Sequence, residues 1–384
     1  MSEQHQSIRK ETAHRIGKNC RTKCKNTDFG GLGETAKAFR QTALHPISTK
    51  KGSVAKKLPI PCFFPKYGIY WNSSKNNETT LHYLVRLTGR ILPGVLRETS
   101  ERRNELRDYF LAALDQNGGF RGRKGGGDLY YSAFALRGLF LLGMLDDTKL
   151  LKNVTGFLEE QLRRNDLSPT EILSWTFCAS LVNIVQEKEL LPEQTVFLLH
   201  RWERFRRSDG CFAASEKSTV SSTYTTFLTA IFYELLGKSE RSRTIPFAPI
   251  LERRRSDGGF VELPPLRYSG TNPTAAAVGL LTILEVPLPE KQKTVEFFCR
   301  CQQPSGGFQA HTKIPLPDLL SSFSAVSALY DLDAASHVNQ LALRNFVVSL
   351  RSPDGGFFGI SADQQSDVEY TFYGMALEAM LQPV

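Results

Sequence analysis

The chain has 384 residues, 41% of them hydrophobic and 23% charged, with 48 Lys or Arg against 39 Asp or Glu and a formal net charge of +9. That is ordinary for a globular protein and long enough for a large core or two domains. No run approaches the ~18 apolar residues of a membrane-spanning helix, and seven scattered cysteines do not resemble a disulfide framework.

The positive charge sits at the start. Residues 1–60 hold thirteen Lys or Arg against four Asp or Glu, so the rest is close to neutral. Such a tail is either a solvated extension or a surface for nucleic acid, membrane or an acidic partner. The extension is the plainer reading, and residues 1–76 are assigned to it as a basic, low-structure segment. Cys20 and Cys24 stand there as C-x3-C, with no second Cys/His pair at finger spacing to complete a zinc site. Gly30-Gly31-Leu32-Gly33 follows no strand pattern and precedes no Gly-Lys-Ser/Thr, so it is not read as a phosphate loop. No apolar leader is visible near Met1, and with unpaired cysteines a reducing cytoplasm is expected. The folded part is set at residues 77–384. It opens on an apolar helix over 81–92, which Pro93 and Gly94 should stop.

Self-similarity dominates the remainder of the chain. Asn117-Gly118-Gly119-Phe120, Asp209-Gly210-Cys211-Phe212, Asp257-Gly258-Gly259-Phe260, Ser305-Gly306-Gly307-Phe308 and Asp354-Gly355-Gly356-Phe357 match. Their phenylalanines are 92, 48, 48 and 49 residues apart. The first gap is two periods, and Asn165-Asp166-Leu167-Ser168-Pro169 stands where a degenerate copy belongs, making six repeats. Each repeat has a mixed helix ending in charges (295–300, 341–350), the turn, and then a more apolar helix (132–142, 275–284, 373–381). Helices apolar over most of their circumference are buried on nearly all sides. Six such hairpins close a ring and remove the exposed ends of an open solenoid. The expected fold is all-α, an (α/α)6 toroid behind the basic extension.

A Gly-Gly-Phe turn followed by Asp-x-x-x-Ser/Thr on an apolar helix resembles the repeat of protein prenyltransferase β subunits. It is also close to the repeats of squalene and terpene cyclases, and the resemblance covers about residues 77–384. It implies an isoprenyl diphosphate or other isoprenoid as ligand, and a helical-repeat partner like an α subunit. Inner helix N-termini converging on one rim would favour the diphosphate. Arg121, Arg123 and Lys124, beside Gly125, Gly126 and Gly127, would hold it, or else form a solvated basic loop. Tyr131, Trp175, Tyr224, Phe323 and Tyr373 are candidate walls, with plain core packing as the alternative.

The family's catalytic zinc is held by Asp, Cys two residues later, and His from a following repeat. Here Asp128 matches the Asp, but Tyr130 takes the Cys place. Asp318 matches again with Leu320 in the Cys place, and Asp367-Val368-Glu369-Tyr370 puts Tyr370 where His belongs. Asp128, Tyr130, Asp318, Asp367 and Tyr370 are the catalytic candidates. Zinc is not expected and no cofactor is required, although Mg2+ would suit a diphosphate. The cyclases' Asp-x-Asp-Asp-Thr-Ala becomes Gly270-Thr271-Asn272-Pro273-Thr274-Ala275, which keeps the Thr-Ala and loses every carboxylate. The resulting expectation is a prenyltransferase-type transferase without zinc. The alternatives are a non-catalytic isoprenoid-binding or scaffold toroid, and a diverged terpene cyclase. Arg204 to Arg207 and Arg253 to Arg255 are read as cations closing helix C-termini, not as a nucleic-acid surface.

Overall fold

The computed structural model describes residues 82–186 and 190–382, together with a two-residue ladder of β1 (Phe63–Phe64) against antiparallel β2 (Ile69–Tyr70). Apart from that ladder, the extension assigned to 1–76 lies outside the described residues, as do Cys20 and Cys24.

Among the described residues, helix α1 (Tyr83–Arg97) precedes six hairpins. Their outer members are α2 (Ser100–Ala112), α4 (Thr148–Leu162), α6 (Leu190–Glu203), the pair α8 (Ser239–Ser242) and α9 (Ala248–Leu251), α11 (Lys291–Cys301) and α13 (Gln340–Ser349). The inner members are α3 (Leu129–Leu141), α5 (Pro169–Gln186), α7 (Thr223–Leu235), α10 (Thr271–Ile283), α12 (Leu319–Asp331) and α14 (Val368–Met380). Each inner helix packs on the next, and α14 packs on α3, so the ring closes. The fourth outer helix is two single turns rather than the mixed helix the repeat predicts; Pro246 lies between them, and Pro249 stands in the first turn of the second, where proline is tolerated.

Burial tracks the ring. Outer helix α2 buries only Leu106 and Phe110, whereas α14 buries every residue but Tyr370. On α7 the residues not buried are Tyr224 and Phe227. The repeat's sequence signature has a physical cause at each of its positions. The first turn glycine takes φ between 79° and 102° at Gly118, Gly210, Gly258, Gly306 and Gly355, a region costly to residues with a Cβ. Asn117, Asp209, Asp257 and Asp354 each accept the N–H two residues on. The closing phenylalanine is fully buried, and its N–H donates to the Ser/Thr hydroxyl on the inner helix. The pairs are Phe120 to Ser132 (2.8 Å), Phe212 to Thr226 (3.1 Å), Phe260 to Thr274 (2.8 Å), Phe308 to Ser322 (2.9 Å) and Phe357 to Thr371 (3.1 Å). That bond is why Asp-x-x-x-Ser/Thr comes after the turn. In the degenerate second copy, buried Leu167 stands in the phenylalanine place. A capping box starts α5, with Ser168 and Glu171 bonding reciprocally.

Two features depart from the sequence-based expectation. The opening helix does not stop at Pro93 but runs on to Arg97. A short antiparallel hairpin, β3 (Phe308–His311) with β4 (Ile314–Asp318), leads into α12. The extra turn of α1 matters because α1 lies across the end where the inner helices finish, packing on α3, α7 and α14. The Tyr83 N–H donates to Glu234 Oε2 (2.9 Å) on α7. Arg90 pairs with Asp331 (2.8 Å) on α12. Gly94 sits flush on α14, where an added Cβ would lie 2.0 Å from the Ala379 carbonyl oxygen. Tyr83, Leu87, Ile91, Leu92 and Val95 are buried there, so α1 closes one end of the ring.

Candidate functional site

The inner helices begin on the opposite rim, and side chains cap most of them. Asp128 accepts the Tyr131 N–H (2.9 Å), Ser222 that of Thr225 (2.9 Å), Asp318 that of Ser321 (2.7 Å) and Asp367 that of Tyr370 (2.9 Å). Asp128, Asp318 and Asp367 are therefore helix N-caps, a role that needs an acceptor oxygen. Burial raises the carboxyl pKa of Asp128 and Asp367 against the pull of these bonds.

Arg123 is matched by the sixth repeat. It lies 2.6 Å from Asp363 and 2.8 Å from Asp367, with its guanidinium over the Tyr370 ring at 5.4 Å. Burial alone would lower its pKa, but the Asp367 and Asp363 carboxylates outweigh burial and raise it. Its charge is thus already balanced. Arg121 and Lys124 are exposed to solvent. The glycine loop folds back on the first turn: Asn117 donates to the Gly127 carbonyl (2.8 Å), and the Gly127 N–H donates to Asp115 (3.1 Å).

Below the rim the inner helices carry packed, largely buried aromatic side chains. The Tyr130 hydroxyl donates to Glu369 Oε1 (2.6 Å), and its ring meets Tyr131 and Phe134 edge-on. Phe134, Phe323, Phe372 and Tyr373 form one cluster across α3, α12 and α14. Tyr224 is 44% exposed at the head of α7. Trp175 is turned the other way: its indole N–H donates to the Leu158 carbonyl (2.8 Å) of outer helix α4. The Tyr131 ring packs on Gly122, and the Tyr370 ring on Gly359.

The zinc site implied by the resemblance would centre on Asp128, Tyr130 and Tyr370. One of these is a helix cap and the other two are phenols, a donor set that does not fit tetrahedral zinc. Among the described residues, no three His, Cys, Asp or Glu come together as ligands. The first turn of α10, where the cyclases carry their acid, holds Thr271, Asn272, Pro273 and Thr274 and no carboxylate.

Two arginines have roles that the repeat pattern does not reveal. Arg253, read as a helix-terminal cation, is buried and donates to Thr223 (3.1 Å) and to Ser221, joining the third and fourth repeats. Arg137 is the only charged residue of α3. Its guanidinium lies 4.3 Å from the Phe372 ring centroid, 5.0 Å from that of Phe177 and 5.9 Å from that of Phe134. A lone charge inside an otherwise apolar helix is the sequence signal that marks it.

Comparison with known proteins agrees with this architecture. None of the curated proteins matches the sequence. Among solved structures, the chain is similar to protein geranylgeranyltransferase-I of Candida albicans in complex with GGPP. The TM-score is 0.57 at 15% identity, over 72% of this chain and 90% of that one. It is also similar to the type II terpene cyclase MstE from Scytonema, with a TM-score of 0.50 at 13% identity, over 76% and 97%. At these identities the likeness shows the fold. The profile described as prenyltransferase alpha-alpha toroid domain matches residues 88–155, 146–286 and 272–384, and the chain belongs to that family.

Proposed function

We propose that this protein binds an isoprenoid, in the first place an isoprenyl diphosphate, with its hydrocarbon in the ring. The observation that carries the reading is the aromatic cluster of Phe134, Phe323, Phe372 and Tyr373 on the inner helices, closed off at one end by α1. Such rings match the flat, branched isoprenoid chain in shape and polarisability. The similar fold of a geranylgeranyltransferase complexed with GGPP supports it.

A second reading, zinc-independent prenyl transfer, draws on the Tyr130–Glu369 hydrogen bond at the rim. An acceptor hydroxyl would lose its proton to Glu369 through Tyr130, the carbon–oxygen bond to diphosphate would break, and a new bond from acceptor oxygen to the prenyl carbon would form. Mg2+ would accompany the leaving diphosphate as counter-ion. Titration calorimetry with farnesyl and geranylgeranyl diphosphate tests binding, and micromolar affinity is expected. No binding of either at that level sinks the isoprenoid reading. Release of diphosphate that persists in Tyr130→Phe sinks the second one.

A further inference from the structure

Arg137 stands nine residues beyond the Asp128 cap, about 13 Å down the helix from the rim. Three rings surround its guanidinium, one each from α3, α5 and α14. The titratable groups that it feels are the phenols of Tyr373, Tyr224 and Tyr83 and the thiol of Cys178. Those tyrosines come from α14, α7 and α1, so Arg137 faces the middle of the ring. Among the described residues no carboxylate or carbonyl pairs with it, although Arg123, Arg90, Arg253 and Arg351 all find acidic partners. Burial lowers its pKa to about 10, so it still carries its charge at neutral pH.

A guanidinium with five donors is costly to bury unpaired. Apolar rings offer its face cation–π contacts but no acceptor for its N–H groups. Arg137 as a residue is nevertheless only partly buried. A positive charge there also repels a carbocation generated beside it, which counts against cyclisation chemistry at this depth.

We infer that the ring takes an anion-headed lipid head-first, with its phosphate or carboxylate bonded to the accessible side of Arg137. This rests on the isoprenoid reading for the tail and adds where the head sits. The rim arginine is already balanced by Asp363 and Asp367, whereas among the described residues no acid balances the deep one.

The test uses the full chain and titration calorimetry with farnesyl diphosphate, farnesoic acid, farnesol and dodecyl phosphate. The wild type should bind the three anions at least tenfold more tightly than farnesol, and the ratio between diphosphate and carboxylate identifies the preferred head. Arg137→Met should weaken every anion tenfold to a hundredfold and change farnesol less than about twofold. Arg137→Lys should keep part of the anion affinity, and Arg121→Met with Lys124→Met should change little. The melting temperature of Arg137→Met should match or exceed that of the wild type, which separates lost binding from lost folding. Dodecyl phosphate binding through Arg137 with no isoprenoid bound would overturn the isoprenoid reading and support this one. Anion binding that survives Arg137→Met, or falls only with the rim pair, overturns the head-first site. So does a wild type that binds no anion at all.

Discussion

Arg123 Nε donates to Asp367 Oδ2 at 2.8 Å, a contact between residues 244 apart that ties the first repeat to the sixth. The Asp367 side chain is only 4% exposed, so removing its partner strands a buried carboxylate. Arg123→Met should therefore destabilise the fold by about 3 kcal/mol, and adding Asp367→Asn should recover much of that loss. Urea unfolding of the two singles and the double checks it. Additive losses would show that the pair does not close the ring.

The phenylalanine turn is held by one hydroxyl in each of the five repeats that carry it. Thr274 is fully buried and accepts the Phe260 N–H at 2.8 Å. Thr274→Val keeps the shape but orphans that donor, and should cost about 1–3 kcal/mol, while Thr274→Ser should cost much less. Equal losses in the two variants, measured by chemical denaturation, would place the effect in packing instead.

Closure by α1 should depend on pH. Burial raises the Glu234 carboxyl pKa to about 7, despite the hydrogen bond from the Tyr83 N–H and the nearby charge of Arg86. The folded state therefore binds the proton more tightly than the unfolded chain. The stabilisation is complete below pH 4.5 and is lost as pH rises through 7. Relative to Glu234→Gln, the wild type should lose about 3 kcal/mol between about pH 4.5 and pH 8. A pH-independent difference between the two unfolding curves would rule this out.

Metal chemistry gives a fourth test. Asp128 caps α3 and Tyr130 bonds Glu369, so zinc finds no ligand set at the position the family resemblance marks. Protein purified in the presence of zinc and then desalted should carry no stoichiometric metal, and chelators should leave its melting temperature unchanged. One retained zinc per chain that disappears in Asp128→Asn would refute this.

Local rules wrote the repeat into the sequence. A positive φ demands glycine, the residue ahead of that glycine needs a side-chain oxygen, and the buried phenylalanine N–H demands a hydroxyl on the next helix. Each constraint recurs at a fixed spacing, so periodicity alone was enough to read the ring of six hairpins. Even the second copy, without glycines, could be placed by counting to Leu167. Periodicity says nothing of what faces what across the ring. Asp128, Asp318 and Asp367 match a catalytic pattern, and the same Asp is what a helix start requires: each accepts a backbone N–H three residues on. Trp175 turns toward the outer helix of its own hairpin, and Arg123 finds Asp367 only because the sixth repeat closes on the first. Pro93 looked like a helix end; packing of Gly94 against Ala379 carries α1 past it. Arg137 belongs to no motif. Its position matters because helices from distant repeats surround it with rings and, among the described residues, leave it no acid, a fact of tertiary packing alone.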